Sequence, residues 1–219
     1  MDRSQQASAR RDPTVRAPVD LARGRTYSER HVELLDGLET IVLTEGFRSL
    51  TIGGLAERLQ CSRRTLYEIA ESKDQIVLVV VDRLLRRLAR RAHDAALAEQ
   101  TVFERILAFL VKGLVELQRA RLSFAEDVAD APAVHDLVDS HFHYAIGEVA
   151  GLLQQGIEDG EFANFHPILV AEMLYAGVVR LLEPRVLRAA GVGLADALEE
   201  FLTLFLDGIR ASDRSDRFT

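Results

Sequence analysis

The stretch from Thr51 to Lys73, TIGGLAERLQCSRRTLYEIAESK, constrains the chain more than any other. Leu55, Ala56 and Leu59 place small and apolar groups on one face of a short helix. Gln60-Cys61-Ser62 breaks that periodicity, and Ser62 stands where a serine caps a new helix. Leu66 and Ile69 supply the inward face of the second helix, leaving Arg63, Arg64, Thr65 and Tyr67 to point outward. Two short helices around a tight turn, the second carrying arginines and hydroxyls at its start, form a helix-turn-helix. Guanidinium forks read guanine edges in a major groove, and hydroxyls hold phosphates.

A net charge of −7 argues against a DNA-binding chain until it is divided. Residues 1–91 hold 17 Arg and Lys against 13 Asp and Glu, whereas residues 92–219 hold 10 against 21. The basic excess travels with the helix-turn-helix, and the acidic excess with the remainder. An unbroken apolar run such as Ile76 to Val81, which no other run exceeds, is far too short to span a bilayer. The Arg-rich start has no apolar stretch of the secretory kind. The single cysteine, Cys61, excludes an internal disulfide and suits a reducing cytosol, so a cytoplasmic location is expected. Cys61 reads as a small apolar plug in the turn.

Helical periodicity dominates the rest of the chain. Residues 1–27 carry six arginines, three acids and two prolines with little periodicity, and read as a mobile tail. Ser28 caps a helix that ends at Gly46. Ser72-Lys73-Asp74-Gln75 matches a capping box and opens a helix to about His93, with Arg83, Arg86, Arg87, Arg90 and Arg91 as its solvated face. Thr101 to Glu104 is a second box, opening a helix to about Arg119. A short helix around 122–129 follows, then a long one from Pro132 that stops at Gly160, and another from Pro167 that Pro184 ends or kinks. Leu194, Leu198, Phe201, Leu202, Phe205 and Ile209 form the stripe of a final helix. The expected class is all-α.

The order of these features resembles the TetR family of transcriptional regulators. The matching residues are Gly46-Phe47, Leu50-Thr51-Ile52, Leu55-Ala56-Glu57, Cys61-Ser62, Thr65-Leu66-Tyr67 and Ser72-Lys73-Asp74, which together with the helix that Gly46 closes make a run of about 45 residues with family spacing; Phe124-Ala125-Glu126 to Ala131-Pro132 adds a weaker match. The resemblance implies a DNA-binding domain over 28–75, a helical ligand-binding and dimerisation domain over 76–211, and a tail over 212–219. It implies DNA contacts from Thr51, Ser62, Arg63, Arg64, Thr65, Tyr67 and Lys73, with Thr51 and Lys73 on phosphates and the arginines on bases or backbone. Three departures stand out. Gln60 replaces a frequent glycine where the turn needs positive φ. Ala70 and Val42 replace common aromatics, and Ile69 is available to fill the space.

By the same resemblance, the chain is expected to be a homodimeric repressor, released from a palindromic operator by a small hydrophobic or aromatic ligand. Phe103, Phe109, Phe124, Phe142, Tyr144 and Tyr175 are the candidate pocket residues. The last two long helices are the candidate dimer interface, where Ala171, Ala176 and Gly177 would admit a partner helix. No cofactor is implied. His135, Asp139 and His143 share one helical face, but three ligands a turn apart spread over roughly 12 Å and rarely meet on one ion. The chain lacks G-x-S-x-G, a glycine-rich phosphate loop and H-E-x-x-H, so no enzyme is expected. Glu126, Asp127 and Asp130 form the one carboxylate cluster to consider. The alternative reading is a helical protein-interaction module that uses the helix-turn-helix as a scaffold.

Overall fold

A computed structural model describes residues 27–115, 120, 122–181 and 183–210. The tails expected over 1–27 (Tyr27 apart) and 212–219 lie outside them, as does the helix end expected near Arg119. The described residues form ten helices: α1 Glu29–Glu45, α2 Ile52–Arg58, α3 Arg63–Ile69, α4 Lys73–Leu97, α5 Val102–Val115, α6 Leu122–Asp130, α7 Pro132–Glu158, α8 Pro167–Leu181, α9 Pro184–Ala190 and α10 Leu194–Gly208. They include no strand, only an isolated antiparallel bridge between Phe162 and Arg210. No described helix is long and apolar enough to cross a membrane.

Local chemistry explains where these helices begin and end. Ser28 accepts from the His31 N–H at the start of α1, and Gly46 closes it at φ 80°. Gln75 N–H donates to Ser72 Oγ at 3.2 Å, while the Gln75 side chain accepts from Glu71 N–H at 3.0 Å. Thr101 and Glu104 exchange the reciprocal bonds of a capping box, each at 3.2 Å. Pro184 has two functions. It ends the run of α8 and opens α9, a helix the sequence pattern did not separate, which Gly191 closes in the left-handed conformation.

The chain divides into two compact units, and the division does not follow the segments 28–75 and 76–211. One unit contains α1, α2, α3, α4 as far as Leu88, α6, and α7 as far as Phe142. The other contains α4 from Ala89, α5, α7 from His143, α8, α9 and α10.

In the first unit the core is built from Leu34, Leu35 and Leu38 of α1, Leu55 of α2, Leu66 and Ile69 of α3, and Ile76, Val80 and Leu84 of α4. Ile69 is fully buried, and Ala70 and Val42, which stand where aromatics are common, are buried in the same core. Each such aliphatic side chain stabilises the unit by roughly 1.5–3 kcal/mol. The arginine face expected on α4 is not solvated as a whole. Arg83 pairs with Asp36 at 2.7 Å, Arg87 holds Glu39, and Arg86 pairs with Asp82 at 2.9 Å. Asp82 is 0% exposed and also meets His141 Nε2 at 3.1 Å. Burial alone would push the Asp82 carboxyl up, but the bonds from His141 and Arg86 outweigh it and hold the group below its ordinary value.

In the second unit α10 packs on α5 and α8, with Ile106, Leu153, Leu174, Leu198, Leu202 and Leu206 fully buried. The Glu161 carboxylate accepts the backbone N–H groups of Val102 and Phe103 at 2.9 and 2.8 Å, satisfying donors at the start of α5. The Arg210 guanidinium lies 4.2 Å from the Phe103 ring centroid.

Candidate nucleic-acid interface

The helix-turn-helix is built by its own caps. Thr51 Oγ1 accepts from Gly54 N–H at 3.1 Å and starts α2. After Leu59 the chain turns at Gln60, whose φ of 49° makes it the one described non-glycine residue with positive φ. The left-handed strain anticipated there is therefore present, at a cost of about 1–2 kcal/mol. Arg30 offsets it from α1, donating from Nη2 to the carbonyls of Leu59 and Gln60, each at 3.4 Å. Cys61 N–H closes the turn on Ala56 O at 2.9 Å. Burial pushes the Cys61 thiol up, against the pull of Arg30, which fits an inert plug rather than a reactive thiolate.

Ser62 then starts α3, accepting from Thr65 N–H at 3.0 Å, with its Oγ 2.8 Å from Thr65 Oγ1. Both hydroxyls are thus engaged with each other, and Thr65 is half-buried. Beneath them Leu66 and Ile69 are fully buried, which fixes the rotation of α3. Arg63, Arg64, Tyr67 and Glu68 face solvent. Tyr67 is 48% exposed, so it is not a core aromatic. The Arg64 side chain is 92% exposed, with Glu68 Oε1 3.8 Å from its Nε. The other oxygen of Glu68 lies 3.3 Å from His31 Nε2, which ties α3 to α1.

Lys73 stands at the head of α4, as expected, but its ammonium is already at work. It donates to the carbonyls of Phe47 at 3.3 Å and Arg48 at 3.1 Å. Of its three donors, one remains for a phosphate. The same loop is held from the other side by α6. Asp127 accepts from the backbone N–H groups of Phe47 and Arg48, the latter at 2.8 Å, and Arg48 pairs with Asp130 at 2.7 Å. A Cβ on Gly46 would come within 2.4 Å of Asp127 Oδ2, so glycine is needed there for space as well as for φ. Asp127 and Asp130, considered from sequence as a carboxylate cluster, therefore serve as a loop cap and an ion-pair partner. Sequence reasoning missed both roles, because nothing local signals a carboxylate acting some 80 residues away.

Comparison with known proteins adds the wider setting. No family model matches the chain. The uncharacterized HTH-type transcriptional regulator YvaF of Bacillus subtilis (strain 168) is 24% identical over 181 residues, covering 80% of this chain and 93% of that protein. A transcriptional regulator of the TetR family from Agrobacterium tumefaciens superposes with a TM-score of 0.65 at 16% identity, covering 83% of this chain and 98% of that one. A protein from Saccharomonospora viridis, solved in complex with choline, superposes with a TM-score of 0.72 at 19% identity, covering 85% and 100%. This is the fold of the TetR family.

The aromatic residues singled out from sequence are divided between the two units. Phe124 is buried in the core of the first unit, edge-on to Phe47 with centroids 6.3 Å apart, so it is a packing residue. Phe103 is buried beneath Arg210. Phe142 belongs to the first unit and is half-buried. Phe109, Tyr144 and Tyr175 belong to the second unit. His135 is exposed, with Asp136 at 3.9 Å, and the described residues include no group of three placed to hold a metal.

The last two long helices, expected from the sequence to form a dimer interface, are α8 and α10. Two of the three small residues expected to admit a partner point inward instead. Ala171 is buried, and Gly177 receives the ring of Phe201 from the chain's own α10, where a Cβ would lie 2.2 Å from Phe201 Cζ. Beside the charged Glu172 and Arg180, α8 leaves apolar side chains outside: Leu169 at 62% and Met173 at 61% exposure, followed one turn on by Ala176. Leu204 of α10 is 68% exposed.

Proposed function

We propose that the chain is a homodimeric, sequence-specific DNA-binding regulator of transcription, a repressor that a small hydrophobic or aromatic ligand releases from a palindromic operator. One observation carries this reading. A helix of seven residues, held by a fully buried Leu66 and Ile69, presents Arg63, Arg64 and Tyr67 outward from a capped turn. That arrangement suits a recognition helix in a major groove, with Thr51 and Lys73 flanking it on the phosphates. The exposed stripe of Leu169, Met173 and Ala176, with Leu204, supports a second copy as partner, since a contiguous apolar helix face is costly in water. Two such copies would read half-sites about 34–36 Å apart.

Phe109, Tyr144 and Tyr175 carry the ligand reading; that a small molecule binds at all is supported by the Saccharomonospora viridis neighbour, solved in complex with choline. The repressing sign follows the TetR-family resemblance. Selection from a pool of random duplexes at physiological salt tests the core of the proposal. An enriched palindrome with two half-sites one helical turn apart is the expected result. Binding that is uniform across sequences and lost with salt would overturn it. The protein-interaction alternative then gains if the double variant Arg63→Ala, Arg64→Ala leaves DNA affinity unchanged.

A further inference from the structure

The two adjacent arginines of α3 are held in different ways. A helix advances roughly 100° per residue. With Leu66 and Ile69 defining the inward direction, Arg64 projects opposite the core and Arg63 emerges on a flank. Arg63 is exposed, but from there it leans toward α2. Its guanidinium lies beside Gly53 of α2, where a Cβ would sit 2.8 Å from Nη2, 3.4 Å from Cζ and 3.5 Å from Nε. Nη2 is the nearest of the three atoms, so the Nε–Nη2 side of the group lies toward the glycine and the guanidinium is held at the flank of α2. Among the described residues no carboxylate pairs with it. Arg64, by contrast, keeps its fork free: Glu68 Oε1 approaches only Nε, at 3.8 Å, and His31 holds the other Glu68 oxygen away.

We infer that these residues divide the work of recognition: Arg64 reads a base edge, Arg63 clamps the DNA backbone, and Gly53 sets the division. The inference rests on the DNA-binding reading above and deepens it. The first helix of a helix-turn-helix crosses the phosphate backbone while the second enters the groove. A guanidinium at the flank of α2 is therefore held on the backbone side, where it neutralises a phosphate without reading sequence. A guanidinium at the tip of α3, with its paired donors unspent, has the reach and geometry for the O6 and N7 of guanine. Any side chain at position 53 would lift Arg63 off α2. Because the obstructed atoms are the far end of a flexible side chain, the fold itself would not object.

The test compares wild type with Arg63→Ala, Arg64→Ala and Gly53→Ala on the duplex that wild type enriches and on every single-base variant of it, from about 50 to 200 mM salt. Arg64→Ala is expected to lose discrimination at one position of each half-site, by about 5- to 150-fold. Arg63→Ala should weaken all duplexes equally and lower the salt slope by about one per half-site. Gly53→Ala should copy Arg63→Ala, with a thermal midpoint no lower than wild type, since alanine is the better helix former. Loss of base preference in Arg63→Ala with uniform weakening in Arg64→Ala would overturn the assignment while leaving the regulator reading intact. A Gly53→Ala variant that binds with the wild-type salt slope would overturn the role of Gly53. If wild type enriches no sequence, the regulator reading falls and this assignment with it.

Discussion

Arginine 63 and arginine 83 belong to the same unit and meet opposite fates. On α4, Arg83, Arg86 and Arg87 are neutralised by Asp36, Glu39 and Asp82, and two of those acids are themselves buried. On α3, Arg63 has no described carboxylate partner, and Arg64 has only a distant one. Arg83 and Arg87 tie α4 to α1 and Arg86 pairs within α4, whereas the α3 arginines make no such close ion pair. Counting basic residues along the sequence joins the two groups, and only the placement of α1 acids opposite α4 separates them. Charge becomes evidence of a partner where the protein itself leaves that charge unanswered.

This contrast can be tested by its effect on stability. The largest effect is expected at Asp82, whose removal leaves Arg86 and His141 facing a buried gap. Asp82→Ala should destabilise the fold by about 3–5 kcal/mol, read from the urea midpoint. The wild-type carboxyl is held below its ordinary value, so its contribution is present above the unfolded-state value and lost as pH falls through the folded one. The Asp82 share of acid destabilisation should therefore vanish in the variant; an unchanged acid limb would show that the network is not coupled to protonation. Glu39→Ala should cost about 2 kcal/mol by removing the carboxylate that Arg83 and Arg87 share, with no change in the salt slope of DNA binding. A smaller gain is expected at Gln60. Gln60→Gly removes the left-handed penalty but adds chain entropy to the unfolded state, for a net stabilisation of about 0.5 kcal/mol. That would appear as a rise of roughly 1–2 °C in the thermal midpoint. Smallest of all, the pair Arg63→Ala, Arg64→Ala should leave stability within about 0.5 kcal/mol of wild type while DNA affinity falls more than tenfold. A large stability loss in that pair would erase the distinction between the two arginine groups.

What could be read in advance follows the same division between local and distant causes. Ser28, Thr51, Ser62, Ser72 and Thr101 act within three or four residues of themselves, and each starts a helix where the sequence places one. Gln60 was recognisable because its turn demands a conformation that its side chain resists. α9 escaped because Pro184 carries a stop and a start in one residue. Gly177 was legible as a place of close approach, but not that Phe201 of the same chain makes that approach. Arg63 and Arg64 look equivalent in sequence, and only the position of Gly53 beside one of them distinguishes the pair. The pocket aromatics were the least legible, because burial in a core and at a pocket wall asks for the same residue types, as Phe124 illustrates.

The loop after α1 carries a practical consequence for anyone wishing to isolate the DNA-reading part. Its two backbone donors end on Asp127, and the Phe47 ring ends on Phe124, both supplied by α6. A gene fragment cut at residue 75 would encode the whole reading head and omit its keystone, so the smallest transplantable unit is discontinuous in the gene.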